Sequence, residues 1–363
     1  MDFELSEAQQ VIATSAAEVL AGVTGDGGEA WAGQAAWQAL AKAGLLAVAL
    51  PAWLDGDELG VLDVAGLLTE VGRAAVSVPA LATIMLGVLP VTRWGDGDVQ
   101  ELVLAGVGTG ETILTAAVRE RSTVMPAKPA TTAILAGPES GPGPGTVTGT
   151  KIGVPYADQA RWILLPASVS GGGRAVVVVD RSGNGVTATP TPASGLVPEY
   201  TVQLDQAPVL GFFADNAVDD LYQLAAAGAA ATADGVLAGA LDLTARYVAQ
   251  REQFGRPLAT FQAVAQQVAD VYITARTLHL AALSACWRLG ERLDADEDVG
   301  VAAYWLASEA PQALRTCHHL HGGIGLDIEY PLPRYSAMVS DLVRLVGGAD
   351  YRLDALAGVA DVH

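Results

Sequence analysis

Apolar residues recur at helical spacing through the first third of the chain. Ser6 precedes a run in which Ile12, Ala16, Val19 and Leu20 share one face, so Ser6 is expected to cap a first helix. Trp37, Leu40, Leu45 and Leu46 continue the apolar helical region, which Gly44 and the Pro51 segment break. The longest uncharged apolar stretch, Ala74 to Thr92, is interrupted by Pro79 and Pro90 and reads as a buried helix pair, not a membrane span. Near Glu111 the texture changes. Residues Ile113 to Val118 are β-prone, Trp162 to Leu165 and Ala175 to Val179 read as strands, and Ser182 to Gly185 as the turn that follows. Thr187, Thr189 and Thr191 alternate as a half-exposed strand would, while Gly137 to Gly145 can only be loop. From Asp215 helical spacing returns: Val236, Leu237, Ala240, Leu241, Tyr247 and Val248 line one face, and Asp242 with Arg246 is expected as an i,i+4 ion pair. Two more long helices are expected, from about Thr260 to beyond Leu283 and from about Val299 to His319.

The predicted fold is therefore α+β, with helices over 1–111, a β-domain over 112–213 and helices again over 214–363. Composition narrows the function. The 363 residues are 51% hydrophobic and 17% charged, enough to fill a large core and leave apolar surface for subunit contacts. Twenty basic against 40 acidic residues give a net charge of −20, so neither a nucleic acid nor an anionic membrane is expected as partner. Only Cys286 and Cys317 are present, and Asp2 and Glu4 stand where a secretory signal would need basic and apolar residues. A cytoplasmic location is expected.

Two segments carry candidate chemistry. The first is Tyr247-Val-Ala-Gln-Arg-Glu-Gln-Phe-Gly-Arg-Pro-Leu258, followed by Phe261-Gln262. Arg251 at a helix C-terminus, with Gly255 as the expected stop, can make charge-assisted bonds to a pyrophosphate, and Phe254 and Gln253 add a ring face and an amide. The second is His318-His-Leu-His-Gly-Gly-Ile-Gly325, then Glu329-Tyr-Pro-Leu-Pro-Arg-Tyr335, where paired glycines allow close backbone approach. No metal site is expected there, because His279 and His363 are isolated and no second ligand cluster completes a shell.

Together these segments resemble the acyl-CoA dehydrogenase family, whose C-terminal domain carries Arg-x-x-Phe-Gly, then Gln-x-x-Gly-Gly-x-Gly and Glu-Tyr-Pro. The resemblance extends over nearly the whole chain: Met1 to Gln9, Ala43 to Leu46 with Pro51, Val71 to Ala74, and Gly149 to Pro155 with Ala157-Asp158 are similar to the family's earlier signatures. It implies an N-terminal helical domain, a middle β-barrel or sandwich and a C-terminal four-helix bundle. It implies FAD as cofactor and an acyl-CoA thioester as substrate. Arg251, Gln253 and Phe254, with His319 (usually Gln in the family), Gly322 and Gly323, are then expected to contact the nucleotide end of an FAD bound mainly by a neighbouring subunit.

The reaction the resemblance implies removes an α-proton while hydride leaves Cβ for the flavin, and the protein must supply a carboxylate base. Most members place that Glu in Tyr-Glu-Gly-Thr; here the stretch is Arg344-Leu-Val-Gly-Gly-Ala349, with Gly347 or Val346 in the slot. A minority place it at a position that counting back from Arg251 puts at Ala225, beside Ala226, and the neighbouring Arg of those members is absent too. Asp219 or Asp220 could serve only through a displaced alignment, with Asp220 the alternative base. The family's Thr-Glu-Pro and Gly-Ser-Asp loop at the flavin ring is also missing, replaced by Leu114-Thr-Ala-Ala-Val-Arg-Glu120. The expectation is a non-catalytic partner that completes the FAD site of a sister chain in an α2β2 hetero-oligomer, as in the family's sterol side-chain pairs. The alternatives are a self-sufficient dehydrogenase with a displaced base and a non-flavin scaffold on the same fold.

Overall fold

A computed structural model describes residues 6–24, 33–121, 123–135 and 145–360. The first five residues, His363 and nearly all of the expected Gly137–Gly145 loop lie outside the described residues. Helix α1 (Glu7–Thr24) opens with a reciprocal cap: the Gln9 N–H donates to Ser6 Oγ, and the Ser6 N–H to Gln9 Oε1. Ile12, Ala16 and Leu20 are buried against α2 (Gly33–Lys42) and α3 (Val61–Arg73), as the periodicity predicts. The apolar stretch after Pro79 is not a helix pair. It runs as one buried rod, a π-helix over Leu81–Val88 passing directly into α4 (Leu89–Trp94), with Pro90 in the first turn of α4, where its missing N–H is tolerated. Helix α5 (Gly97–Leu104), capped by Asp96 through the Val99 N–H, closes the N-terminal layer.

The middle of the chain is a mostly antiparallel sheet in the order β10-β7-β6-β4-β5-β9-β8, with β1 (Leu114–Ala116) parallel to β6 (Trp162–Val169). The other strands are β4 (Thr132–Leu135), β5 (Gly145–Pro155), β7 (Arg174–Asp180), β8 (Val186–Thr191), β9 (Glu199–Pro208) and β10 (Gly211–Phe213). A separate hairpin pairs β2 (Arg119–Glu120) with β3 (Thr123–Val124). β6 and β7 are apolar on both faces because both faces are covered. Trp162, Leu164, Val176 and Val178 join the helical core, while Ile163, Leu165, Val177 and Val179 fill a second core inside the β-domain. β8 has only one covered side, which accounts for its exposed Thr187 and Thr189.

The C-terminal helices surround α6 (Asn216–Gln250). Its Ala- and Gly-rich surface lets α3 approach closely: a Cβ at Gly72 would overlap the Thr232 carbonyl, one at Gly235 the Thr69 carbonyl, and one at Gly239 the Arg73 carbonyl. Among the described residues α6 is the one helix long and apolar enough to span a membrane, and its apolar window is packed inside the molecule. Asp242 pairs across that crossing with Arg73 at 3.2 Å, so the expected intrahelical pair with Arg246 does not form. Helix α7 (Gln262–Gly290) follows. The expected single helix from Val299 to His319 is two, α8 (Asp296–Ser308) and α9 (Ala310–His321), because Pro311 removes an N–H and disfavours helical backbone just before it. α10 (Leu332–Val346) and α11 (Ala349–Ala360) complete the chain.

Candidate cofactor-binding site

Helix α6 ends at Gln250, and Arg251 is its extended C-cap. Gly255 is therefore not the helix stop. It lies in the turn of a short hairpin, β11 (Glu252–Gln253) against β12 (Arg256–Pro257). Phe254 at φ +56° and Gly255 at φ +75° give this turn two left-handed residues, as a two-residue type I′ turn requires. An aromatic residue held in that region is strained by about 1–3 kcal/mol. The Phe254 ring faces outward, where it is 92% exposed. Behind it, Phe261 meets Phe254 edge-on at 6.2 Å, and the Arg256 guanidinium lies 4.0 Å above the Phe261 ring. Arg251 and Gln253 are exposed, and among the described residues Arg251 has no carboxylate partner.

The second segment ends α9. Gly322 reverses the chain at φ +63°, and a Cβ at Gly322 or Gly323 would meet nothing within 4 Å, so the turn leaves an open backbone cradle. His319, Gly322 and Gly323 are exposed, whereas His321 is buried. The two segments meet through their inward residues. Tyr247 stacks on His321 with centroids 4.4 Å apart, and its hydroxyl donates to the His321 carbonyl at 3.2 Å. Arg251 follows Tyr247 by one helical turn, and Gly322 follows His321 directly. A free cation, an outward ring and an open glycine turn fit the phosphate and adenosine end of a dinucleotide. Among the described residues no group of three or more His, Cys, Asp or Glu could hold a metal ion.

The positions expected at the ring end converge around the β2–β3 hairpin. Gly347 caps α10 at φ +95°, and the Tyr351 ring packs over it, 2.6 Å from where a Cβ would stand. The Tyr351 hydroxyl donates to Val124 O at 2.6 Å. Three residues before Ala225, Tyr222 donates to Pro126 O at 3.1 Å, and Ala225 itself is fully buried. Arg352 lies under the same hairpin, donating to Val346 O at 2.6 Å and against Met125 Sδ at 3.0 Å; burial pulls its guanidinium below the usual range. The adjoining cleft between α3, α10 and β5 is filled by charge. Arg344 bonds Glu199 at 3.2 Å and also Asp341, Arg119 lies 3.7 Å from Glu199, and Asp341 accepts the Leu196 and Val197 N–H groups at 2.7 and 2.9 Å. Burial raises the Asp341 carboxyl despite those N–H groups and Arg344, and burial lowers Arg119 against the pull of Glu199. About 70 Å³ of mostly apolar space remains there, among residues that include Val71, Leu81 and Met338. The charged side chains lining this cleft are thus bonded to one another.

Neither Asp219 nor Asp220, at the start of α6, offers a free carboxylate. Asp220 receives Arg93 Nη1 at 2.6 Å and Trp94 Nε1 at 2.7 Å, one on each oxygen, and so ties α4 to α6. Asp219 receives both terminal nitrogens of Arg174, at 3.0 and 2.8 Å. Glu120, in the segment that replaces the flavin-ring loop, is also committed inward. Burial alone would raise its carboxyl, but Lys151 at 2.6 Å and the Ala130 and Thr131 N–H groups hold it below the usual range. Sequence reasoning did not single out the inward role of Tyr247 and His321, nor the filling roles of Arg119 and Tyr351. For His321 the available signal was its place beside the paired glycines; for the other two there was none.

Comparison with known proteins identifies the family. Residues 6–111 match the family description "Acyl-CoA dehydrogenase, N-terminal domain" and residues 221–350 match "Acyl-CoA dehydrogenase, C-terminal domain". The chain is 44% identical to acyl-CoA dehydrogenase FadE28 of Mycobacterium tuberculosis over 358 residues, 98% of each protein. Among solved structures it is similar to the ChsE4–ChsE5 complex of Mycobacterium tuberculosis, with a TM-score of 0.88, 30% identity and 98% of each chain covered. It is also similar to a variant of the Tcur3481–Tcur3483 steroid ACAD, with a TM-score of 0.85 and 32% identity over 98% of this chain and 95% of that one. The chain belongs to the acyl-CoA dehydrogenase family.

Proposed function

We propose that this chain is the non-catalytic subunit of a hetero-oligomeric, FAD-dependent acyl-CoA dehydrogenase, paired with a sister chain as α2β2. One contrast carries the reading: the nucleotide-end surface is open and unpaired, while the ring end is closed by the chain's own Tyr351, Arg119 and Arg344. In the assembly Arg251 neutralises phosphate charge, Phe254 offers a ring face to the adenosine, and Gln253 and His319 add polar contacts. Gly322 and Gly323 let the backbone approach. Bound FAD supplies the hydride acceptor of the reaction. The carboxylate that takes the α-proton belongs to the sister chain, because this chain has no free carboxylate at either family position. Two hetero-oligomeric structural neighbours, one of them a steroid ACAD, support both the pairing and a steroid-type acyl thioester as substrate class.

The test is purification with and without the co-expressed sister chain. The complex is expected to be yellow and to bleach on addition of acyl-CoA, whereas this chain alone is expected to carry no flavin. Arg251→Ala is expected to lower flavin content of the complex by about tenfold or more, the range for losing a charge-assisted phosphate contact. Full FAD loading and bleaching by this chain alone would sink the proposal. A colourless active-site-competent complex, or one indifferent to Arg251→Ala, would favour the scaffold reading. A self-sufficient enzyme using Asp220 would lose bleaching in Asp220→Asn; here that variant is expected to lower thermal stability and leave bleaching by the complex intact.

A further inference from the structure

We infer that Tyr247 and His321 are positioning residues of the nucleotide-end site, clasping the hairpin after α6 to the glycine turn after α9 so that both reach one ligand. This rests on the reading of that surface as an FAD contact. Each of the two segments hangs just beyond the end of its own helix, where backbone is otherwise free to fray. The Tyr247–His321 stack and the Tyr247 hydroxyl bond to the His321 carbonyl connect them side chain to side chain and side chain to backbone. Tyr330, from the Glu-Tyr-Pro end of the second segment, packs on the other part of the imidazole at 5.4 Å. All three rings thus come from the two segments themselves.

His321 is the exception within its own segment. It is 3% exposed, although His319, Gly322 and Gly323 around it are exposed. Its Nδ1 lies 2.8 Å from the Cys317 carbonyl, so Nδ1 carries the proton, and that bond fixes the ring angle against α9. Nε2 is then a buried acceptor with no partner among the described residues. An apolar ring would fill the same space without that unsatisfied atom, so packing alone does not explain a histidine here. Orientation does: the Nδ1–H bond holds the imidazole parallel to Tyr247, and Tyr247 stands one turn before Arg251. Burial keeps the imidazole neutral, which suits a stacked ring.

The test is FAD titration of the apo-complex with its sister chain, followed by bleaching at saturating FAD. His321→Ala and Tyr247→Ala are expected to weaken FAD affinity about tenfold or more, with kcat at saturating FAD within about twofold of the parent. Tyr247→Phe, which keeps the stack, is expected to retain affinity within about threefold. Should an alanine variant fail to assemble, Tyr247→Leu keeps apolar bulk without the stack or hydroxyl and carries the same expectation. Unchanged affinity in the stack-breaking variants overturns the inference, and so does an equal fall of affinity and kcat, which would report general damage. Arg251→Ala separates the two levels. If it weakens FAD while the clasp variants do not, only the clasp fails; if none of them does, the nucleotide-end reading itself fails.

Discussion

Gly347, with Val346, is where the family resemblance leads one to expect a catalytic glutamate, and the surroundings of Gly347 show why a carboxylate cannot simply be placed there. Its φ is +95°, and a Cβ would press on the Tyr351 ring. Gly347→Glu is therefore expected to cost about 1–3 kcal/mol, read as a lower urea midpoint, and to give this chain no acyl-CoA-driven bleaching of its own. The absence of a glutamate from this stretch was legible in the sequence, because it is a departure from a local motif. The Tyr351 ring that took the space was not, since only the folded chain brings it against Val124. His321 gives a second prediction at this scale. Burial holds its imidazole and that of His318 below the ordinary value of 6.5. The folded state then binds fewer protons than the unfolded chain, so their contribution is fully present above pH ~6.5 and is lost as pH falls through the folded-state values. Glu70 and Asp341, raised mainly by burial, act in the opposite sense. The difference between the parent and His321→Phe isolates the imidazole: the variant's Tm is expected to fall less between about pH 7 and pH 5. Parallel profiles would contradict this.

At the scale of elements, the crossing of α3 on α6 depends on glycine. A Cβ at Gly235, on α6, would overlap the Thr69 carbonyl, whereas one at Gly66, on α3, would meet nothing within 4 Å. Opposite signs are expected. Gly235→Ala should destabilise by about 1–3 kcal/mol through overpacking, even though alanine is the better helix former. Gly66→Ala should stabilise by about 0.5–1 kcal/mol, since it gains helix propensity and collides with nothing. Urea midpoints of the two variants check both. The helices themselves were readable from the period of Ile12, Ala16 and Leu20, and the strands from runs such as Ala175 to Val179. The glycine contacts were not readable, because Gly66 and Gly235 look alike until a neighbouring carbonyl separates them. The break at Pro311 carried a local signal that the helical pattern on both sides masked. The turn at Phe254 ran against propensity: a bulky aromatic residue is a poor predictor of left-handed backbone.

Over the whole molecule, on the proposed function, the chain closes one end of the site and leaves the other open. The closure is assembled from residues far apart in sequence: Arg119 and Glu199 from the β-domain, Asp341 and Arg344 from α10, and Tyr351 from α11 against Val124. No motif announces such a set, so the sequence disclosed which family motifs are missing and not which side chains gather in their place. At the open end apolar groups face outward near the glycine turn, with Phe254 92%, Leu326 77% and Ile328 76% exposed. A chain of net charge −20 can carry such groups, and among the described residues they are left largely uncovered. If the sister chain covers this face, removing apolar area there must weaken association without weakening the fold. The Leu326→Ser, Ile328→Ser double variant is expected to leave the Tm of the isolated chain nearly unchanged, since neither side chain is buried in it. Its affinity for the sister chain, measured by analytical ultracentrifugation, is expected to fall about 10–100-fold, the range for truncating apolar anchors at an interface. Unchanged affinity would place the contact on another face. A matching fall in Tm of the isolated chain would mean that these residues serve the fold and not the assembly.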